Sequence, residues 1–283
     1  MEERKYKRLF KKFREQESKE VFAHFPYDGK SGETWESPFA KLAEMAKKED
    51  WNFKRKEFVA LHKNQSFPIL TNYLNYTFLR LQDEGKIALT QEEDKACFNT
   101  GLQTPRGKDI FATFFRNRQS ESKAQTDWTF YGFFDSYSEK LESFHPLPDI
   151  AQYIDNVEDL VFKNEYEIES NLDHFLDKNK GRLPEALQDN MRMAENTING
   201  SIQTLKKLIR RNYKIAIPHW YENKIQLLLP LELTNEDGIA DLALVVDRDD
   251  VRKIYRGKTI LTMDQAYVDA RLITKPADEW LNP

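Results

Sequence analysis

The stretch Ala240–Leu281, ADLALVVDRDDVRKIYRGKTILTMDQAYVDARLITKPADEWL, decides how the chain is read. It reads as two or three buried strands, a tight turn and a short closing helix. Strands are expected over Ala240 to Asp247 and Lys258 to Thr262, because apolar residues run there without the three-to-four spacing of a helix. Asp241, Thr262, Asp264, Tyr267, Asp269 and Arg271 interrupt the run with polar groups that a core does not require. Asp264, Tyr267 and Arg271 fall on one side of the closing helix, since residues three and four apart are neighbours there. That polar stripe either orients a ligand or locks the helix to the sheet.

Further strands precede it, Ile225 to Leu233 and Lys214 to Ile217, with Pro218 and Pro230 at strand ends or edges where the missing N–H is tolerated. Before them, Pro184 to Arg211 reads as one long helix, with Leu187, Met191, Ala194, Ile198, Ile202, Leu205, Leu208 and Ile209 on its inner side. Asn171 to Lys178 reads as a short helix. Pro146 and Pro148 suggest a hinge near 145–150.

A second β block lies upstream of the hinge. Ile87–Leu89, Ala96–Leu102, Asp109–Phe115 and Trp128–Phe134 are separated by polar turns, the pattern of an antiparallel meander. Residues 38–84 read as helical. Pro68 sits in the first turn of a helix buried along Ile69, Leu70, Tyr73, Leu74, Phe78 and Leu81, and Gly85 ends it. Residues 1–34 form a basic arm, with Lys5, Lys7, Arg8, Lys11 and Lys12 around Leu9, Phe10 and Phe13, and read as a helix with a thin apolar stripe. The expectation is an α+β protein: a helical section, then mainly antiparallel sheet with a central long helix. The domain reading is an arm over 1–34 and one α+β domain over 35–283, with a possible subdivision at the hinge.

Composition narrows the function classes. Of the 283 residues 40% are hydrophobic, with 19 Phe, so core material is ample, while 32% are charged. No apolar run reaches the roughly 18–20 residues of a membrane span, and the charged start lacks the apolar stretch of a secretory signal. The lone Cys97 excludes a disulfide framework and a Cys-based zinc site, which fits a reduced, cytoplasmic setting. A net charge of −4 restricts any polyanion binding to a local basic patch. The five histidines show no zinc-binding spacing, so no metal site is assigned. No nucleophile elbow, dinucleotide fingerprint or P-loop is present; Gly29-Lys30-Ser31 lacks the upstream glycine and strand.

The candidate ligand-binding residues are Asn99, Thr100, Arg116, Asn117, Arg210, Arg211, Tyr267 and Arg271. Asn99 and Thr100 precede Gly101, which permits a bulge or the close approach of a ligand. Arg116 and Asn117 end the neighbouring strand, and arginine suits phosphate and guanine. Arg210 and Arg211 close a basic tract from Lys206 that equally suits the helix dipole. Trp128–Phe134 alternates, placing Trp128, Phe130, Gly132 and Phe134 on one face and Tyr131 and Phe133 on the other. One face covers the core; the other is a possible stacking platform. A rival set is catalytic: Asp241 and Asp264 as carboxylates for Mg²⁺ in phosphoryl chemistry, with His174 for acid–base work.

The motifs ACFNTGL (96–102), WTFYGFF (128–134), ADLALVV (240–246) and TILTMDQAYVDARLITKPADEWL (259–281) resemble the bacterial domain family of unknown function numbered 3825, from about Trp35 onward. Such domains occur alone and beside OST-HTH (LOTUS) modules, which bind RNA, so the resemblance implies an RNA-linked role by neighbourhood. It supplies no established catalytic residues. Relatives carry an Asn-rich helix where this chain has Val268 and Asp269, and those two positions receive no role. The leading expectation is an RNA- or nucleotide-binding module with a rim of Asn99, Arg116, Arg210 and Arg271 and aromatics for stacking. The alternatives are a metal-dependent phosphoester hydrolase or nuclease, and a structural partner domain.

Overall fold

The computed structural model describes residues 5–10, 20–26, 34–53, 55–117, 126–169, 176, 178–234 and 239–275. Two compact units divide the chain, Met1–Gln152 and Tyr153–Pro283, with the boundary just past Pro146 and Pro148. Each unit combines helices with its own mixed sheet, which makes the fold α+β.

The first unit starts with two short strands, β1 (Arg8–Phe10) and β2 (Val21–His24). Helices α1 (Ser37–Met45), α2 (Lys56–Leu61) and α3 (Pro68–Asp83) follow. Then come β3 (Ala88–Leu89), β4 (Lys95–Gln103), β5 (Asp109–Arg116) and β6 (Trp128–Asp135). The sheet order is β1-β2-β6-β5-β4-β3. The expected meander is its antiparallel part, β3 to β6. Proline opens α3, and Ile69, Leu70, Leu74, Phe78 and Leu81 are fully buried along it. Gly85 ends it at φ +65°, a conformation glycine adopts without strain.

The expected N-terminal helix is corrected where the arm is described. Residues 8–10 form a strand parallel to β2, and β2 adds in parallel to β6. The deciding partners come from α3. Asn75 Oδ1 accepts from the Leu9 N–H at 2.9 Å, and the Gln82 amide both accepts from the Tyr6 N–H and donates to the Tyr6 carbonyl, each at 2.9 Å. Two side-chain amides thus satisfy backbone groups that a helix would have satisfied internally. Arg4, Lys11, Lys12, Phe13 and Arg14 lie outside the described residues. The core beneath is aromatic: Phe25 stacks on Phe130 with centroids 4.2 Å apart, and Phe22, Phe78, Phe98 and Phe114 pack around them.

The second unit holds β7 (Glu167–Glu169), α4 (Glu185–Gln188), α5 (Met191–Ile209), β8 (Ile217–Tyr221), β9 (Lys224–Leu231), β10 (Leu242–Asp249), β11 (Ile254–Thr262) and α6 (Met263–Arg271). Its sheet order is β7-β11-β10-β9-β8, antiparallel except for the β7–β11 pair. The long helix over Pro184–Arg211 is corrected to two pieces, because Asn190 caps α5 by accepting from the Met193 N–H at 3.0 Å. The strand expected from Lys214 begins instead at Ile217, after a 3₁₀ turn over Tyr213–Ile215. Ile198, Ile202, Leu205 and Ile209 of α5 pack on Leu227, Leu229, Leu242, Leu244 and Val246, while Leu208, expected on the inner side, is exposed. Side chains alternate across a strand, so His219, paired with Gln226, points to the opposite face, where α6 packs against β8.

Candidate functional site

An aromatic pair open to solvent lies on the first unit's sheet, beside a slip in strand pairing. On β5 and β6, Thr113 faces Gly132 while Phe114 faces Phe130, so Tyr131 is an extra, bulged residue. A one-residue bulge reverses the inward–outward assignment beyond it. The expected alternation is corrected accordingly. Phe130 and Phe133 share the core side at 4.7 Å, while Tyr131 and Phe134 share the other at 5.4 Å. Gly132 is required here, since a Cβ would lie 2.9 Å from the Phe134 ring.

Tyr131 also meets Phe115, with centroids 4.5 Å apart. The two rings are 43% and 39% exposed, so one side of the pair is open to solvent. Thr129 and Lys95 are the cross-strand neighbours of Phe115 and share its face. The Thr129 hydroxyl donates to Asn117 Oδ1 at 2.6 Å, and Asn117 Nδ2 donates to the Thr126 carbonyl at 2.9 Å. Asn117 thereby fixes the rim beside the rings. Arg116 stands at the same strand end, its guanidinium 5.6 Å from the Trp128 ring centre. It donates to Glu93 Oε2 at 3.0 Å, an exposed ion pair worth about 0–1 kcal/mol.

Asn99 and Thr100 do not reach this rim. Both are buried. Asn99 Oδ1 accepts from the Gly101 N–H at 3.0 Å, and Thr100 Oγ1 donates to the Ile110 carbonyl at 2.7 Å. The expected bulge is present between Asn99 and Gln103, and Gly101 takes φ +73°. It brings up the Tyr73 hydroxyl, which donates to the Thr100 carbonyl at 3.1 Å, and these contacts account for the motif without a ligand.

In the second unit, Asp241 binds back to the end of β9: Oδ2 accepts from the Leu233 and Thr234 N–H groups at 2.7 and 3.0 Å, and Oδ1 from the Thr234 hydroxyl at 2.9 Å. Asp264 is buried in the first turn of α6, whose N-cap is Thr262. The Leu242↔Thr262 register brings Asp241 and Asp264 to one end of the sheet. Among the described residues no group of three His, Cys, Asp or Glu side chains is placed to hold a metal ion. His174 lies outside the described residues. Tyr267 is buried, and Arg271 is partly covered in the last turn of α6. Arg210 and Arg211 are exposed at the end of α5, where Arg211 donates back to the Lys207 carbonyl at 2.8 Å. Lys206 bonds Glu167 and holds that carboxyl below its usual range.

Two further titratable groups are enclosed in the second unit. His219 is 2% exposed, and neither ring nitrogen has a hydrogen-bond partner. Burial pushes its pKa down to about 4. Asp269, on the α6 side of the same sheet face, is pushed up to about 7 by burial. The alternation of Ile217 and His219 in IPHWY was the available signal for the histidine.

The family described as a domain of unknown function (DUF3825) matches residues 42–280. No curated protein and no solved structure matches the chain.

Proposed function

The chain belongs to the DUF3825 family, and for this member we propose an RNA- or nucleotide-binding role in which bases stack on the Phe115–Tyr131 face. One observation carries the reading: an aromatic pair held in contact yet open to solvent on a sheet face, with Lys95 as the cross-strand neighbour of Phe115. Base–aromatic stacking contributes roughly 1–3 kcal/mol per base and tolerates any sequence. Lys95 and Arg116 supply the charge for a backbone phosphate. The rim is thereby smaller than the sequence suggests, since Asn99 is enclosed and Arg210 and Arg271 belong to the second unit. A cytoplasmic setting, where RNA is met and Cys97 stays reduced, accords with it.

Fluorescence anisotropy of labelled single-stranded RNA, titrated at several salt concentrations, tests the proposal. Affinity is expected to fall with salt and to weaken in Tyr131→Ala. Absence of binding at low salt, or equal affinity in Tyr131→Ala and Phe115→Ala, overturns it. The same RNA run on a gel after incubation with Mg²⁺ tests the hydrolase alternative, which draws on the shared position of Asp241 and Asp264; shortened RNA would favour it.

A further inference from the structure

α5 turns a basic, nearly acid-free side to solvent. The chain as a whole carries 47 acidic and 43 basic residues. From Met191 to Lys214 the balance reverses: Arg192, Lys206, Lys207, Arg210, Arg211 and Lys214 stand against one acid, Glu195. Ala194, Ile198, Ile202, Leu205 and Ile209 bury one side of the helix. At the helical repeat, Asn196, Gly200, Lys207 and Arg211 form the line directly opposite, and all four are exposed. Asn199, Gln203 and Arg210 flank that line and are exposed as well.

The helix dipole explains only part of this charge. It favours cations in the last turn, where Arg211 also donates to the Lys207 carbonyl at 2.8 Å. It does not explain Arg192, which stands in the first turn with no acidic residue beside it, at the end where a cation is disfavoured. Lys206 is ion-paired with Glu167, whereas among the described residues no ion pair holds Lys207, Arg210 or Arg211.

A second observation points to a partner. Gly200 sits in the middle of α5 on its outermost line, and a Cβ there would meet nothing within 4 Å. Glycine weakens a helix interior relative to alanine, and no packing contact among the described residues requires it here. Glycine also lets another backbone approach closely. The open space over Gly200 therefore fits a partner that lies against the helix.

Three further features choose that partner. The apolar side of α5 packs on its own sheet, so the helix cannot turn it into a bilayer surface. No residue of α5 is aromatic, so the face offers no platform for unstacked bases. Its exposed amides beside cations are the groups that bond sugars and phosphates. Packed along one side, α5 presents a low ridge roughly 28 Å long, from 19 residues at about 1.5 Å each. The deep major groove of B-DNA takes a helix that projects. A low ridge suits the wide, shallow minor groove of A-form RNA, which displays 2′-hydroxyls between its phosphates.

We propose that the outer face of α5 docks on double-stranded RNA, with Lys207, Arg210 and Arg211 on phosphates, Asn196, Asn199 and Gln203 on 2′-hydroxyls, and the duplex backbone against Gly200. This face belongs to the second unit and does not rest on the Phe115–Tyr131 reading. The test is fluorescence anisotropy of a labelled RNA duplex with the full chain at several salt concentrations. Unlabelled RNA duplex, DNA duplex of the same sequence and phosphatidylserine vesicles serve as competitors. Binding is expected to fall with salt and to yield only to the RNA duplex. Lys207→Gln combined with Arg211→Gln is expected to weaken it roughly tenfold or more and to lower the salt slope by roughly two. Gly200→Leu is expected to weaken binding while the urea midpoint stays or rises, which a glycine needed only for structure would not show. Lys253→Gln, which removes an exposed cation between β10 and β11, is expected to leave binding unchanged. Absence of duplex binding at low salt overturns the proposal, as does full affinity in the double variant or in Gly200→Leu. Equal competition by DNA or vesicles overturns it too, and so does an equal loss in Lys253→Gln. Failure of the single-strand titration leaves these outcomes unchanged, so the two readings fail separately.

Discussion

Tyr131 and Phe115 touch across the β5–β6 ladder, ring centroids 4.5 Å apart, because alternation turns each away from the Phe114–Phe130 core pair and the bulge leaves Tyr131 without a cross-strand partner. The pair has one covered side and one open side, as a stacking surface requires.

Tyr131→Ala is expected to weaken single-stranded RNA binding by about 5- to 150-fold, the equivalent of one lost stack of roughly 1–3 kcal/mol. Its effect on unfolding is expected to stay small, because the ring is 43% exposed. Arg116→Ala is expected to lower the salt slope by roughly 0.7 for a single strand. Anisotropy titrations paired with urea melts separate the two effects; a stability loss matching the affinity loss would assign Tyr131 to structure alone.

Gly101→Ala is expected to destabilise the first unit by roughly 2–4 kcal/mol, combining left-handed backbone strain with overpacking. The added Cβ would sit 2.6 Å from the Tyr73 hydroxyl oxygen at φ +73°. In a Tyr73→Phe background the oxygen is absent, and the same substitution is expected to cost only the backbone part, about 1–2 kcal/mol. Urea unfolding of the four proteins in the cycle measures the difference.

His219 and Asp269 make opposite contributions to the pH dependence of the second unit. His219 titrates near 6.5 when unfolded and about 4 when folded, so stability falls as pH drops from about 6.5 to about 4. Asp269 titrates near 3.8 unfolded and about 7 folded, so stability falls as pH rises from about 4 to about 7. Between pH 4 and 6.5 the slopes oppose and the profile is expected to be nearly flat. Asp269→Asn is expected to expose the histidine slope, with an acid loss of about 3 kcal/mol in total. His219→Leu is expected to expose the aspartate slope, and to keep or raise neutral-pH stability because it removes two unpartnered nitrogens. Flat profiles in both variants would contradict the assignment.

Cys97 is fully buried, and burial pushes its thiol up to about 12. At pH 8 a thiol reagent is expected to label it only as fast as the first unit opens, since the thiolate is the nucleophile. A labelling time course across urea concentrations checks this; rapid labelling of the native protein would show that β4 is more accessible than its packing implies.

Much of the scaffold was legible in the chain. The three-to-four spacing from Ile69 to Leu81 marks α3 with its proline and glycine ends, and the apolar runs at Ile225–Leu233 and Ala240–Asp247 mark two neighbouring strands. The candidate site was read less well. Asn99 and Thr100 look like ligand groups because Asn, Thr and Gly together suit a loop at a phosphate, yet they serve a bulge held by Tyr73 and Ile110. Polar side chains have the same composition whether they meet a ligand or a backbone carbonyl.

The sequence by itself determined which segments bury an apolar face, because that follows from the local geometry of helix and strand. Tertiary structure alone decided four things: that β1 is a strand, that Phe134 and not Phe133 shares the Tyr131 face, that Asp241 binds back to Leu233 and Thr234, and that His219 is enclosed without a partner. Each depends on groups far away in the chain, such as Asn75 for β1 and the β5 register for Tyr131. Periodicity records the repeat of a backbone, whereas the partner of a polar group and the position of a bulge are set by long-range pairing.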